Sequence, residues 1–269
     1  MSAIIFGTIF AYTVANSQKI KKLNFMIKTF ETKAFDHHFI INDNGRTLLI
    51  DTGSPSTLFD GDAFEFLGKS VSKGILSFPP DIISEMLGTH IDALVGCDIL
   101  KHFSVLIDCG ESSITFSDEE LSMTDGESFP LSSKLGLPCV SLNLNGLDGN
   151  YFLDSGAKIS YVKRDLVDGL TPEGQEGDFY PGYGHFETPV YRIPTSIEGH
   201  EFPVSYGTLP QILELSLLNL TGATGIIGHD LFQHFAVLLD LRNKTVQLRV
   251  LPKCQNTSEY QNHAKMSEF

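Results

Sequence analysis

The 269-residue chain predicts a mostly β fold, built as two similar halves about a pseudo-twofold axis with a few short helices. Three observations predict it. Apolar runs of four to eight residues, broken by Asn-Gly, Asp-Gly and Pro, dominate the sequence, which is the pattern of short strands between turns. Residues 96–108 read GCDILKHFSVLID and residues 228–240 read GHDLFQHFAVLLD, identical at seven of thirteen positions without a gap. Two copies are too few for a solenoid or propeller and point to two lobes. Each half also carries an aspartate at the end of an apolar run, followed by a hydroxyl residue and a glycine. These are Leu49-Ile50-Asp51-Thr52-Gly53-Ser54 and Phe152-Leu153-Asp154-Ser155-Gly156-Ala157.

The elements follow in order. Residues 1–20 contain an apolar stretch, Ala3 to Ala15, too short to span a bilayer as a helix. It reads either as a signal-peptide core or as an extra N-terminal strand carrying Ile4, Phe6 and Val14. Small residues at Thr13 and Ala15 suit cleavage, whereas the lack of a preceding Lys or Arg does not; a signal peptide at residues 1–15 would make the protein secreted or periplasmic. Residues 21–120 form the first lobe. Its hairpin, Phe39–Ile50 with an Asn44-Gly45 turn, feeds directly into Asp51. Helices are expected at Asp81–Leu87, just after a proline, and at Asp98–His102. Between them lies Leu94-Val95-Gly96, and a strand pair follows, Ser104–Ile107 with Ser113–Phe116. A polar linker spans residues 121–136. The second lobe, 137–252, repeats the scheme. Val140–Gly146 and Asn150–Leu153 form its hairpin, Gln211–Leu218 its first helix and Ile226-Ile227-Gly228 its second motif. Helix Asp230–His234 and strands Ala236–Leu239 and Thr245–Arg249 complete it, the strands joined by Arg242-Asn243-Lys244. Residues 253–269 are polar and aperiodic and read as a tail.

The halves differ in one respect. Asp51 and Gly96 are 45 positions apart, Asp154 and Gly228 are 74 apart, and the surplus falls between Thr171 and Gly207. This stretch predicts a long hairpin with a glycine-rich tip, a candidate flap over residues 178–207, with Tyr183 and Gly184 at its tip to contact substrate. The first half has no room for an equivalent. The competing reading is a solvent-exposed insertion unrelated to substrate.

The paired Asp-[Thr/Ser]-Gly and apolar-apolar-Gly motifs resemble those of the aspartic proteases, both the two-lobed pepsin-like enzymes and the half-sized retropepsins that dimerise. The resemblance covers roughly residues 25–250, and implies a pepsin/retropepsin-like β-barrel architecture with a cleft between lobes. By resemblance, Asp51 and Asp154 are the catalytic pair, while the Thr52 and Ser155 hydroxyls hydrogen-bond across to the opposite loop. Two close carboxylates cannot both ionise comfortably, so they share a proton and can activate a water against a peptide carbonyl. Gly53 and Gly156 let the backbone approach the carboxylates. Ser54 is expected to donate its hydroxyl to Asp51; Ala157 cannot do so for Asp154, so the pair should be asymmetric. No cofactor or metal is needed. His37-His38 and the repeated His102/His234 lack partners at ligand spacing. The repeated histidines read as structural hydrogen-bonders behind the catalytic floor, Asp98/Asp230 as helix caps and Asp108/Asp240 as turn formers.

The predicted activity is therefore that of an aspartic endopeptidase acting on a peptide or protein substrate, with one chain sufficient. The alternative is a catalytically silent, protease-like module that binds peptide or protein. A net charge of −14 argues against nucleic acid as partner, and no stretch is long enough to span a membrane. The four cysteines show no C-x-x-C spacing; the P-loop, zincin and G-x-S-x-G signatures are absent.

Overall fold

The computed structural model describes residues 25–252, save 75–77 and 145–146. The N-terminal segment and the tail, on which the signal-peptide, extra-strand and 253–269 readings fall, lie outside the described residues. The fold is mostly β, a large curled sheet forming a half-barrel with a few short helices. Both halves contribute to one central sheet. Its order is Ile27–Phe35, Ser113–Ser117, Ser104–Asp108, Phe235–Asp240, Thr245–Val250 and Glu127–Lys134, each antiparallel to the next.

The middle of that sheet carries the pseudo-twofold axis. Leu106 faces Leu238, its own counterpart in the repeat, flanked by Val105 against Leu239 and Ile107 against Val237. An antiparallel pair in which equivalent residues meet is what a twofold axis through that point requires. Phe235–Asp240 is buried at all six positions, which explains its unbroken FAVLLD: a strand covered on both faces has no solvent side to alternate toward.

Within each half the strand that ends at the Asp-[Thr/Ser]-Gly loop lies parallel to the apolar-apolar-Gly strand. Arg46–Ile50 pairs with Ala93–Val95, and Leu147–Leu153 with Gly225–Ile227. Each second motif ends in glycine because the loop after the aspartate crosses tightly over it. A Cβ on Gly96 would come within 2.6 Å of the Ser56 carbonyl, and one on Gly228 within 2.7 Å of the Ala157 carbonyl. Short helices follow at Cys97–Leu100 and His229–His234, and others lie at Pro80–Leu87 and Gln211–Leu213, the last widening into a π turn over Glu214–Asn219.

Two expectations need revision. The polar run read as a linker contains a strand, Glu127–Lys134, paired with Thr245–Leu248 on one side and Leu137–Val140 on the other. Only Leu131 of its eight residues is buried, so a mostly wet strand looked like connecting chain. The first half also has room for a short hairpin, Ala63–Phe66 with Lys69–Ser72. It is no lid, since Phe66 packs inward against Phe30, Phe103 and Phe116. Among the described residues, Cys97 and Cys139 are free thiols, and no helix is long and apolar enough to cross a membrane.

Since the halves share one sheet, they should unfold together. Leu238→Ala removes a side chain only 2% exposed on the axis and should cost about 2–5 kcal/mol, in a single urea transition by both circular dichroism and tyrosine fluorescence. Two separate transitions would contradict the shared core.

Candidate active site

Asp51 and Asp154 each stand at the end of a buried strand, and each backbone N–H donates to the neighbouring apolar-apolar-Gly strand, Asp51 to the Val95 carbonyl (3.1 Å) and Asp154 to that of Ile227 (3.0 Å). The next residue in each loop grips the other half. The Thr52 N–H donates to Ser155 Oγ (3.0 Å), and the Ser155 N–H donates to Thr52 Oγ1 (2.9 Å). The Thr52 hydroxyl then donates to the Leu153 carbonyl (2.7 Å), and the Ser155 hydroxyl to that of Ile50 (2.9 Å). Both hydroxyls are buried, and each accepts once and donates once across the axis, so neither leaves an unpaired polar group.

This grip sets the carboxyls against each other. A Cβ on Gly156 would lie 2.6 Å from the Asp51 carboxyl, and one on Gly53 would collide with that of Asp154. Each glycine also donates its N–H to the aspartate of its own loop, Gly53 to Asp51 Oδ1 (2.7 Å) and Gly156 to Asp154 Oδ1 (2.9 Å). Burial raises Asp51 above the ordinary carboxylate range, opposed by the Gly53 N–H. Asp154 is raised further, by burial and then by the charge of Asp51. The two carboxyls hydrogen-bond to each other, so they titrate as one unit.

Ser54 departs from expectation. Its hydroxyl donates to the Ser56 carbonyl (2.7 Å) within a tight turn, and it reaches Asp51 through its backbone N–H. Ala157 is buried, its carbonyl accepting from the His229 N–H (3.0 Å). Asp98 and Asp230 are not caps. The Asp98 carboxylate accepts from the Thr57 N–H and hydroxyl (2.9 and 2.6 Å), and that of Asp230 from the Ser205 N–H (2.8 Å). Asp240 does form the turn, accepting from the Arg242 and Asn243 N–H groups. Asp108 likewise accepts from the Glu111 N–H (3.2 Å). His102 is exposed rather than set behind the floor, and His234 packs on Phe202 at 5.0 Å.

The extra length of the second half folds as a hairpin, Gly174–Tyr180 with Gly184–Ile197. Strand His200–Gly207 pairs back onto Tyr191–Ile197. The hairpin reaches the first half. At its turn, Gly182 has a left-handed φ of +85° and sits where a Cβ would come within 3.3 Å of the Phe78 ring. Further down, Phe179 packs with the cluster of Leu49, Leu58, Ile83 and Leu94. Tyr183 lies in the turn, 46% exposed and edge-on to Phe186, and Gly184 supplies the second left-handed position, φ +104°.

The sequence reading passed over three neighbours of the aspartates. Tyr180 is pushed up by burial and then by the charges of the Asp154 and Asp51 carboxyls. Asp178, 8% exposed, accepts from the Tyr161 hydroxyl and from the Phe179 N–H (2.8 Å). Strand alternation could have found Tyr180: it lies on the same hairpin face as Asp178, two residues along. His38, 1% exposed, stacks on Phe179 with ring centroids 5.9 Å apart. Turn-counting signals it, since the hairpin centred on Asn44-Gly45 sets position 38 level with position 51.

No protein-family model matches the chain, and no curated protein matches it. Among solved structures, the chain is similar to the foamy viral protease-reverse transcriptase in complex with an RNA/DNA hybrid. The identity is 15% and the TM-score 0.25, over 39% of this chain and 11% of that one. A likeness so slight carries no argument about activity.

The raised Asp154 gives a stability prediction. The native state keeps a proton that the unfolded chain releases, so this group's contribution is full below the ordinary carboxylate range and is lost as pH rises through the native value. Asp154→Asn cannot ionise and escapes that loss. Its melting temperature relative to the parent should therefore rise between pH 4 and pH 7; a constant difference would show that Asp154 is not raised.

Proposed function

We propose that the chain is an aspartic endopeptidase in which Asp51 and Asp154 activate water against a peptide bond. The observation that carries this reading is the reciprocal Thr52–Ser155 grip, which holds one carboxyl against the glycine of the other's loop. The ionised carboxyl takes a proton from a water between the pair while the water oxygen attacks the carbonyl carbon. The protonated carboxyl donates to the carbonyl oxygen, giving a neutral gem-diol. Collapse breaks the C–N bond, with one diol proton passing back through the pair to the leaving nitrogen. Atoms and charge balance with water as the only co-reactant.

In this reading the halves are the two lobes, and the second-half hairpin is the lid. Substrate lies extended beneath it, bonded through its backbone as an added strand. Tyr180 lies on the lid strand, with Tyr183 and Gly184 contacting substrate from the turn. The pair is supplied by one chain, so a monomer suffices.

The test is cleavage of a mixed peptide library by the purified full chain from pH 3 to 7, beside Asp51→Asn and Asp154→Asn. Either substitution should abolish turnover by at least three orders of magnitude, since the two carboxyls act as a unit. Cleavage that survives either one would show that the pair is not the catalyst. Peptide binding without cleavage at any pH would favour the silent binding module.

A further inference from the structure

The segments that follow the two aspartates match residue for residue. Thr57 Oγ1 accepts from the Gly96 N–H (3.1 Å), and Ser160 Oγ accepts from the Gly228 N–H (3.1 Å). The next residue is Leu58 in the first half and Tyr161 in the second. Each pairs with the first residue of its own apolar-apolar-Gly motif, Leu94 and Ile226, and both are buried, at 7% and 3% exposure. The duplicated position thus holds an isobutyl group in the half without a long hairpin and a phenol in the half that carries one.

The phenol meets both strands of that hairpin at a single rung. Asp178 and Phe186 oppose each other there. The Tyr161 hydroxyl donates to Asp178 Oδ2, and its ring lies against that of Phe186 with centroids 6.2 Å apart. The other oxygen of the buried Asp178 carboxyl accepts from the Phe179 N–H (2.8 Å). Leu58 belongs to the first-half cluster on which Phe179 packs. The two equivalent positions therefore receive adjacent residues of one strand, through an apolar seat on the first half and a hydrogen bond on the hairpin's own half. Nearer its base the hairpin is clamped by Thr188, whose hydroxyl donates to the Thr208 carbonyl (2.8 Å) and accepts from the Thr208 N–H (2.9 Å). Asp178 stands two rungs beyond this clamp, toward the turn. An apolar seat tolerates sliding. A buried hydroxyl–carboxyl bond does not, because displacement leaves a donor and an acceptor unpaired.

We propose that Tyr161 is a positioning residue that latches the hairpin at Asp178 and so sets its height over the Asp51–Asp154 pair. With the clamp at Thr188 as fixed point, the latch determines where the turn meets Phe78 of the first half. It acts through the lid's grip on substrate and moves no proton. Its effect on turnover rests on the proteolytic reading; the latch itself does not.

The test is NMR on the full chain, in the parent and in Tyr161→Phe, which removes one oxygen and keeps the ring. Lid position is read from the methyl shifts of the cluster of Leu49, Leu58, Ile83 and Leu94, with Phe179→Ala supplying the shifts of an empty seat. In Tyr161→Phe these methyls should move toward the Phe179→Ala values. The Phe179 N–H should exchange with solvent about tenfold faster or more, while the amides of Phe235–Asp240 keep the parent rate. Methyls unmoved in folded Tyr161→Phe overturn the proposal, and faster Phe179 exchange alone would not rescue it. Should Tyr161→Phe not fold, the parent decides. A slowly exchanging Tyr161 hydroxyl proton close to the Asp178 methylene supports the latch, and a freely exchanging one overturns it. In peptide cleavage, Tyr161→Phe should raise KM about tenfold with kcat within about twofold of the parent. A lower melting temperature with KM unchanged would make Tyr161 merely structural and overturn its positioning role. Methyls and exchange that change as stated in a protein that cleaves nothing would leave the latch standing and remove the proteolytic reading.

Discussion

Everything at the centre of this molecule depends on two hydroxyl groups crossing a pseudo-twofold axis. Thr52 and Ser155 each accept from the other's backbone N–H and donate to a carbonyl of the other's strand. Four hydrogen bonds in a buried setting are each worth about 1 kcal/mol net, but leaving any of the groups unpaired costs more. The contact is thus better understood as a register lock than as a source of stability. It allows one relative placement of the two loops, and in that placement the carboxyls of Asp51 and Asp154 meet across Gly53 and Gly156. The sheet beneath enforces the same axis independently, through Leu106 against Leu238. Two separate contacts thus specify one symmetry.

Outside the pair the two halves differ, because the second half adds a long hairpin bearing Asp178, Phe179 and Tyr180. The same hairpin crosses to Phe78 and to the first half's cluster around Leu49. One insertion therefore bridges the two halves. Lys158 supports the arrangement at its edge, pairing with Asp36 of the first-half turn (3.0 Å) and approaching Glu176 of the hairpin (3.8 Å). Both pairs are partly exposed, and they steer the packing more than they stabilise it.

Much of this was legible in the sequence for identifiable reasons. Strand alternation and Asn44-Gly45 located the hairpin into Asp51, and the repeat at 96–108 and 228–240 gave the axis. The surplus length gave the second-half hairpin, because chain that cannot match the first half must go elsewhere. Strand Glu127–Lys134 was hidden because a strand with mostly wet side chains has the composition of a linker. The hydroxyl of Ser54 was misassigned because its turn offers the nearer Ser56 carbonyl, a contact set by loop geometry rather than residue type. The roles of Asp98 and Asp230 were misplaced for a related reason. Their partners, Thr57 and Ser205, are 41 and 25 positions away, and local helix signals cannot report contacts at that range.

The measurement that bears most directly on a shared-proton pair is calorimetric binding of a statine-type inhibitor, whose hydroxyl occupies the place of the attacking water. One inhibitor should bind per chain, with proton uptake that grows as pH rises through the titration of the pair. Binding should be lost in both Asp51→Asn and Asp154→Asn. Binding that persists in either variant, or that takes up no proton at any pH, would contradict a single site built from both carboxyls.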